Sequence, residues 1–274
     1  MKRGIRPFMY MMLSAAAMLL ISSCATLSRS GVGRVKEYVV ESDGLPISFD
    51  GFRAAFVSDL HYPSLFDTKR LGKLVKRLKE IAPDVLFLGG DYVTDNDSID
   101  VLFSSLASVK PPFGIYAVLG NHECRNGALI AHSMKEHGIE LLADTVVPVL
   151  RGNDTIFFAG IYDSFRYDSL VVQPFEAVPD SLFTILLCHT PDYAERSSAK
   201  VDLVLSGHTH GGQVSLLGIY TPVKNSCYGS RFLRGRNTAT SGATVITTNG
   251  VGTSRRKVRF CVPSELVHVI LKKR

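Results

Sequence analysis

The alternation of short apolar runs with amphipathic helices over residues 52–138 constrains the fold of this chain more than any other feature. The apolar runs are Ala54–Val57, Val85–Leu88 and Ile115–Leu119. After each run, apolar side chains recur at the three- and four-residue spacing of a helix face. Because these strands are apolar on both faces, they indicate a parallel sheet that is covered by helices. The sequence therefore predicts an α/β domain.

The pattern changes after Ile139, where strand-like runs follow one another with few helices between them. Only residues 191–197 suggest a further short helix. We expect a second, mixed or antiparallel sheet packed on the first. The domain is assigned to residues 51–274, after a tether and lead-in over residues 24–50. The predicted strands of the second part are residues 146–150, 156–159, 183–188, 201–205, 244–248, 258–261 and 266–271.

The N-terminus has the pattern of an export signal. Basic residues at positions 2, 3 and 6 precede an uncharged, mostly apolar run from Phe8 to Ile21. This run is shorter than the roughly 20 residues that a membrane span needs, and it is typical of a signal peptide. The segment resembles a bacterial lipoprotein signal, in which residues 1–23 are removed and Cys24 is lipidated. We expect an exported, membrane-anchored lipoprotein at the cell envelope; an uncleaved anchor and simple secretion are the alternatives.

The net charge does not indicate a nucleic-acid partner. The chain has 31 basic and 25 acidic residues, and removal of the three basic residues of the signal leaves 28 against 25, or +3. A domain near that value is not expected to bind nucleic acid. Four cysteines remain after the signal and allow three disulfide pairings. Of these, Cys188 ends an apolar run and is expected to be a buried thiol.

Polar side chains that can bind metal ions follow most of the predicted strands. In α/β sheets, ligands bind at the carboxyl edge of the strands. If the strands share that edge, five imidazoles, two carboxylates and a carboxamide converge there. These residues are, in chain order, Asp59 and His61, Asp91, Asn121 and His122, His189, and His208 and His210.

Carboxylate, imidazole and amide groups are ligands for divalent ions such as Mn²⁺, Fe²⁺ and Zn²⁺. Seven ligands are too many for one tetrahedral zinc ion, but they suit two ions bridged by a carboxylate. Two ions about 3.5–4 Å apart hold the attacking and leaving oxygens of an in-line displacement and generate hydroxide at neutral pH. The set therefore predicts phosphate-ester hydrolysis.

The motifs resemble those of the calcineurin-like metallophosphoesterases. They are Asp59-X-His61, Gly90-Asp91, Gly120-Asn121-His122-Glu123, His189 and Gly207-His208-X-His210. The longer strings Ser58–His61, Gly207–Gln213 and Gly250–Ser254 are similar to the membrane-attached bacterial branch that includes the YkuE and YaeI proteins. This resemblance covers residues 50–271. It implies a four-layer α/β/β/α sandwich with two mixed sheets.

The resemblance also implies a role for each residue of the motifs. A hydroxide between two divalent ions, most simply Mn²⁺ with Fe²⁺ or Zn²⁺ as alternatives, would attack phosphorus in line. His122 would stabilise the transition state or protonate the leaving oxygen, so His122 and Asp91 are the expected catalytic residues. The implied ligands are Asp59, His61 and His210 for one ion, Asn121, His189 and His208 for the other, and Asp91 as the bridge.

Several residues outside the ligand set carry secondary expectations. Tyr62, Tyr92 and Asp163 are candidate substrate contacts, and Glu123 is expected to orient His122 or its loop. The histidines at positions 132, 137 and 268 are expected at the surface or at helix ends. The branch would place a basic residue where this chain has Asn249.

The substrate is expected to be a phosphorylated small molecule or lipid, as a phosphodiester or a phosphomonoester. One alternative is hydrolysis of the pyrophosphate in a nucleotide-linked lipid-A precursor. Export argues against it, because that precursor is cytoplasmic. The other alternative is a non-catalytic envelope protein that binds metal or phosphate.

Overall fold

The structure, a computed structural model, describes residues 9–12, 14, 32–162, 178–179, 181–196, 200–216 and 218–274. Cys24, most of the predicted signal peptide and Asp163 lie outside the described residues. Within the described part, no helix has both the length and the apolar character needed to cross a bilayer. The α-helices of the domain are α1 (Thr68–Ile81), α2 (Ile99–Ala107), α3 (Gly127–Glu136) and α4 (Tyr193–Arg196).

The first sheet has the strand order β1-β12-β2-β3-β4-β5, and only the β12–β2 pair is antiparallel. Helices α1, α2 and α3 cover one face of it, because their apolar stripes pack on the strands. The carboxylate of Asp67 caps α1 by accepting a hydrogen bond from the Arg70 amide at 2.9 Å. The strands are β1 (Arg34–Ser42), β2 (Arg53–Val57), β3 (Val85–Leu88), β4 (Ile115–Ala117), β5 (Ile139–Leu141) and β12 (Glu265–Lys273).

The second sheet has the strand order β10-β11-β9-β8-β7-β6, with antiparallel pairs at both ends and parallel pairs between them. The prediction of a second, mixed sheet is therefore confirmed. Its strands are β6 (Thr145–Arg151), β7 (Asp154–Gly160), β8 (Thr184–Leu187), β9 (Leu203–Ser206), β10 (Gly235–Thr238) and β11 (Thr244–Thr247).

The main core lies between the two sheets. Phe87 of β3 and Phe158 of β7 meet there edge to face, with ring centroids 4.9 Å apart. The outer face of the second sheet is covered by the short helix α4 and by a loop that contributes the buried Phe232. The predicted two-sheet sandwich with helical outer layers is thus present, and its fourth layer is thin.

Five segments differ from the sequence-based prediction. Residues 266–271, predicted among the strands of the second part, lie in β12 of the first sheet, and residues 139–141 form β5, which the sequence did not predict. Residues 34–42, assigned to the lead-in, form β1, which pairs in parallel with β12 along its whole length. Residues 235–238 form the edge strand β10. Residues 258–261 are not a strand: they make a single bridge, between Val214 and Phe260, because the side chain of Arg259 is turned into the protein (below).

None of the four cysteines at positions 124, 188, 227 and 261 forms a disulfide. Cys188 is fully buried, as predicted, and its Sγ lies 3.2 Å from the Ser206 hydroxyl.

Candidate metal centre

The carboxyl ends of strands from both sheets meet at one edge of the sandwich. Backbone hydrogen bonds join the loops that leave them: Asp59 N donates to Gly90 O at 3.0 Å, and Gly207 N donates to His189 O at 3.0 Å. The predicted ligand residues all lie on these loops, so the fold brings them together.

Four of these residues form the first cluster, which is fully buried. The ligand atoms of Asp59, His61, Asp91 and His210 all lie within 4.8 Å of one another. The Nε2 of His210 is 3.3 Å from the Nε2 of His61 and 3.3 Å from an oxygen of Asp59. The Nε2 of His61 is 3.6 Å from Oδ2 of Asp91.

The other three form a second cluster beside it. The amide oxygen of Asn121 lies 2.8 Å from Nδ1 of His208 and 3.2 Å from Nε2 of His189. Those two ring nitrogens are 3.3 Å apart. The Nε2 of His189 is also 3.4 Å from Oδ2 of Asp91. The same carboxylate oxygen therefore faces both clusters.

The protonation of the imidazoles fits a metal site. Burial lowers the pKa of His61 to about 4 and that of His208 to about 3, and it places the pKa of His210 well below its usual value. These rings are neutral at pH 7, so a nitrogen lone pair of each is available to a cation. The buried Nδ1 of His210 has no hydrogen-bond partner among the described residues.

The carboxylates make the centre attractive to positive charge. Burial alone would lower the pKa of His189, but the charges of Asp91 and Asp59 outweigh it and raise this pKa to about 10. Burial raises the pKa of Asp59 to about 6. For Asp91, the effect of burial is opposed by the charge of His189 and a hydrogen bond from it, and its pKa is lowered. This donor set fits divalent ions.

Hydrogen bonds around the clusters fix the orientation of two ligands. The Nδ1 of His189 lies 2.7 Å from Gly89 O, which turns Nε2 toward Asn121 and Asp91. The carboxylate of Glu123 accepts hydrogen bonds from the backbone amides of Asp91, Tyr92 and Gly120 at 2.7–2.9 Å. Glu123 therefore holds the loop of Asp91, as expected for a residue that orients the loop.

Five of the ligand candidates have a left-handed backbone, with φ between 50° and 67°. Non-glycine residues rarely adopt this conformation, and it persists where the surrounding structure imposes it, often at functional sites. The strain is concentrated at the positions where side chains converge. These residues are Asp59, His61, Asp91, His208 and His210.

Two loops approach so closely that only glycine fits between them. A Cβ on Gly207 would collide with the Ser58 hydroxyl and with an oxygen of Asp59. Gly211 and Gly212 make room in the same way, against Asn249 and Thr221. These glycines therefore let neighbouring loops pack against the ligands.

A buried arginine, which sequence reasoning missed, binds the loops from behind. The guanidinium of Arg259 donates to five backbone carbonyls. One of them belongs to His210, at 3.1 Å. Burial lowers the pKa of Arg259 to about 10, so the side chain stays charged at pH 7. The other carbonyls are those of Asn249, Gly250, Gly252 and Val262.

An open cleft of about 930 Å³ leads to the clusters. His122 lines it with a side chain that is 51% exposed, and its Nε2 lies 3.9 Å from Oδ2 of Asp91. Its ring is 4.7 Å from that of His61. Lys224 and Arg255 also line the cleft, which gives it two cationic side chains that the motifs did not indicate.

The two tyrosines expected to contact substrate are both buried, and neither lines the cleft. Tyr92 is fully buried and its hydroxyl donates to Leu88 O and Val118 O, so it points into the core. Tyr62 is buried with its hydroxyl 3.0 Å from that of Thr68. Among the remaining histidines, His268 was expected at the surface and instead lies buried on β12, 3.3 Å from Glu37.

The side chain of Asn249 forms hydrogen bonds within the protein. Its side-chain amide donates to Glu265 at 3.2 Å and to Pro263 O at 3.1 Å. The guanidinium of the buried Arg259 lies beside it and donates to the Asn249 carbonyl.

With two mixed sheets and buried carboxylates and imidazoles at one edge, and with a match to a phosphoesterase family model, the protein is a metal-binding hydrolase that acts on phosphoester bonds. Residues 52–212 match the family model described as calcineurin-like phosphoesterase. The chain belongs to that family, and the resemblance drawn from the motifs is confirmed.

Three relatives are similar to this chain over most of their length. The chain is 32% identical over 252 residues to an uncharacterized metallophosphoesterase of Aquifex aeolicus (87% of this chain, 92% of that protein). It is 29% identical over 250 residues to the uncharacterized metallophosphoesterase YkuE of Bacillus subtilis (86% and 84%). It is 31% identical over 213 residues to the phosphodiesterase YaeI of Escherichia coli (73% and 75%). One crystal structure shares the fold, with a TM-score of 0.52 at 12% identity (73% and 91%).

Proposed function

We propose that this enzyme hydrolyses a phosphodiester or phosphomonoester at the cell envelope with two divalent ions, most simply two Mn²⁺. The observation that carries the proposal is the pair of ligand clusters that share Oδ2 of Asp91. Asp59, His61 and His210 would hold one ion, and Asn121, His189 and His208 the other, with Asp91 between them. Bound ions of this kind supply a hydroxide nucleophile at neutral pH and neutralise charge on the phosphoryl oxygens.

Side chains around the clusters would protonate the leaving group and orient the substrate. His122 is the half-exposed imidazole of the cleft, so it can reach a leaving oxygen and protonate it. Its backbone amide donates to Oδ1 of Asp91 at 3.0 Å, which keeps Oδ2 directed at the clusters. Lys224 and Arg255 would attract and orient the phosphate from the wall of the cleft.

The volume of the cleft, about 930 Å³, favours a substrate larger than a free phosphate, and the similarity to the phosphodiesterase YaeI supports a diester. The signal-like N-terminus with Cys24 supports an exported lipoprotein. A lipid anchor would favour a lipid or another membrane-associated molecule as the phosphorylated substrate.

The test is turnover by the metal-loaded protein against monoesters, diesters and pyrophosphates, each in a soluble and a lipid-linked form. We expect Mn²⁺-dependent hydrolysis of a monoester or diester in preference to pyrophosphate. Stoichiometric phosphate binding without turnover in the Mn²⁺-, Fe²⁺- and Zn²⁺-loaded proteins would contradict the proposal.

A further inference from the structure

A surface of exposed apolar side chains and cationic side chains includes two residues that line the cleft, Lys224 and Arg255. We call it the docking surface. Its residues lie on two segments, one formed by Leu216 and residues 218–224 and the other by residues 255–258. Its members are Leu216, Ile219, Tyr220, Val223 and Val258, with Lys224, Arg255, Arg256 and Lys257.

The apolar side chains project from the tip of a tight turn. Ile219 is 88% exposed, Tyr220 64% and Leu216 57%. The turn is closed by hydrogen bonds from Leu216 N to Tyr220 O at 2.7 Å and from Ile219 N to Leu216 O at 3.0 Å. Clusters of exposed apolar side chains on soluble proteins often mark sites of interaction.

The segment that leads into the turn is hydrogen-bonded to the cationic segment, and the turn itself is hydrogen-bonded to Arg234. Gln213, which follows the Gly211-Gly212 pair, donates from its side chain to Ser254 O at 3.0 Å and to Arg256 O at 3.2 Å. Arg234 donates to Gly218 O in the turn at 2.9 Å. The docking surface is thus built onto the loops that carry the ligands.

The charge of this part of the chain has one sign. From Leu203 to Ser264 the sequence contains no Asp or Glu. Two of its cations, Lys224 and Arg255, line the cleft, and the exposed Arg256 and Lys257 follow directly. The Lys and Arg residues of this stretch are Lys224, Arg231, Arg234, Arg236, Arg255, Arg256, Lys257 and Arg259.

We propose that the docking surface binds an anionic lipid bilayer. Leu216 and Ile219 insert between the lipids, Tyr220 lies at the interface, and the cations contact headgroup phosphates. The cleft then opens at the lipid–water boundary. A bilayer is favoured over nucleic acid because projecting aliphatic side chains neither stack on bases nor bind phosphates. This binding requires neither catalysis nor an N-terminal anchor.

The chain contains no tryptophan, so one introduced tryptophan reports its own surroundings. The experiment uses the full chain with Ile219→Trp, and vesicles of phosphatidylcholine with or without phosphatidylglycerol. We expect a blue shift of the emission and quenching by brominated acyl chains, both stronger with phosphatidylglycerol. Because the probe reports its own depth, the result is independent of whether the N-terminus is anchored.

Leu150→Trp is the matched control. Leu150 is 65% exposed, and it pairs with Thr155 at the start of β7, which places it at the edge opposite the metal centre. The emission of the Leu150→Trp variant should not change when vesicles are added. Equal responses of the two probes, or a response of the Ile219→Trp probe to single-stranded DNA or to self-association but not to vesicles, would overturn the proposal.

A second pair of variants separates charge from insertion. Arg256→Gln with Lys257→Gln should weaken binding to anionic vesicles by about fivefold for each cation. Leu216→Ser with Ile219→Ser should abolish binding to vesicles, while turnover of a soluble phosphoester stays unchanged. Unaltered vesicle binding in both double variants would refute the docking surface. Absence of turnover of soluble phosphoesters by the unchanged chain would refute only the proposed function.

Discussion

The Nε2 atoms of His61 and His210 lie 3.3 Å apart, in rings that stack with an angle of 21° between their planes. Burial lowers the pKa of both rings, so neither is an imidazolium at pH 7. His208, only two residues from His210, faces Asn121 and His189 in the other cluster. The two histidines of one motif are therefore divided between the two ligand clusters.

This division predicts that His208→Ala and His210→Ala each lose a different ion. Each variant should retain about one ion where the parent binds two, and each should lose phosphoester turnover, because a two-ion mechanism needs both. Metal content by elemental analysis and turnover together give the result. Two retained ions with full activity in both variants would show that the division is wrong.

His122 is expected to act on the substrate and not on the metal. His122→Ala should lower kcat by about 10²–10⁴-fold and leave the metal content unchanged, since its side chain is half exposed and belongs to neither cluster. Asp91→Asn is the comparison: its carboxylate faces both clusters, so both metal content and kcat should fall. Loss of metal in His122→Ala would place that residue among the ligands instead.

The absence of a side chain at Gly207 is predicted to leave the space that the Asp59 carboxylate occupies. In Gly207→Ala the new methyl group would overlap Ser58 and the Asp59 carboxylate, so metal binding and turnover should drop sharply. The control is Gly72→Ala on the exposed side of α1, where an added Cβ meets no atom within 4 Å. That change should raise the free energy of unfolding by about 0.5–1 kcal/mol without affecting turnover. Full activity in Gly207→Ala would contradict the close approach of the two loops.

The elements that the sequence predicted are those with a local signal. The apolar runs of β2 and β3 depend only on nearby residues, and both strands lie within one residue of the predicted bounds. The helical spacing after β2 is also a local signal, and α1 lies there. Strands β1 and β10 escaped prediction because they are half-exposed edge strands with polar sequences, Arg-Val-Lys-Glu and Gly-Arg-Asn-Thr. Only pairing with distant strands makes them strands.

The same distinction applies to the site. The residue types and their positions after strands predicted which side chains converge. The left-handed backbone of Asp59 or His210 could not be predicted, because contacts between distant loops impose it. Arg259 was missed because it directly follows Arg255-Arg256-Lys257-Val258, and a run of this kind has the pattern of an exposed charged loop.

Asp192 is predicted to shape the cleft without touching the reacting atoms. Its two carboxylate oxygens accept hydrogen bonds from the Ser226 hydroxyl and the Cys227 amide, both at 2.6 Å. These residues line the cleft beside Lys224. Asp192→Asn replaces one acceptor with a donor, so the wall should loosen and KM should rise several-fold. Metal content and kcat should change little, and a fall in kcat with KM unchanged would contradict this role.

Arg259 is predicted to support the metal centre through backbone carbonyls. Arg259→Met would leave five buried carbonyls without their donor, and an unsatisfied buried acceptor costs about 1–3 kcal/mol. We expect the free energy of unfolding to fall by at least about 3 kcal/mol, measured by urea denaturation.

Because that variant could fail to fold, Arg259→Lys is the informative companion: an ammonium group keeps the charge but has three donors on one atom. It should fold, with weaker metal binding than the parent, because the carbonyl of His210 loses its fixed partner. Parent-like metal affinity in Arg259→Lys, together with parent-like stability in Arg259→Met, would show that the guanidinium is not needed to hold the loops.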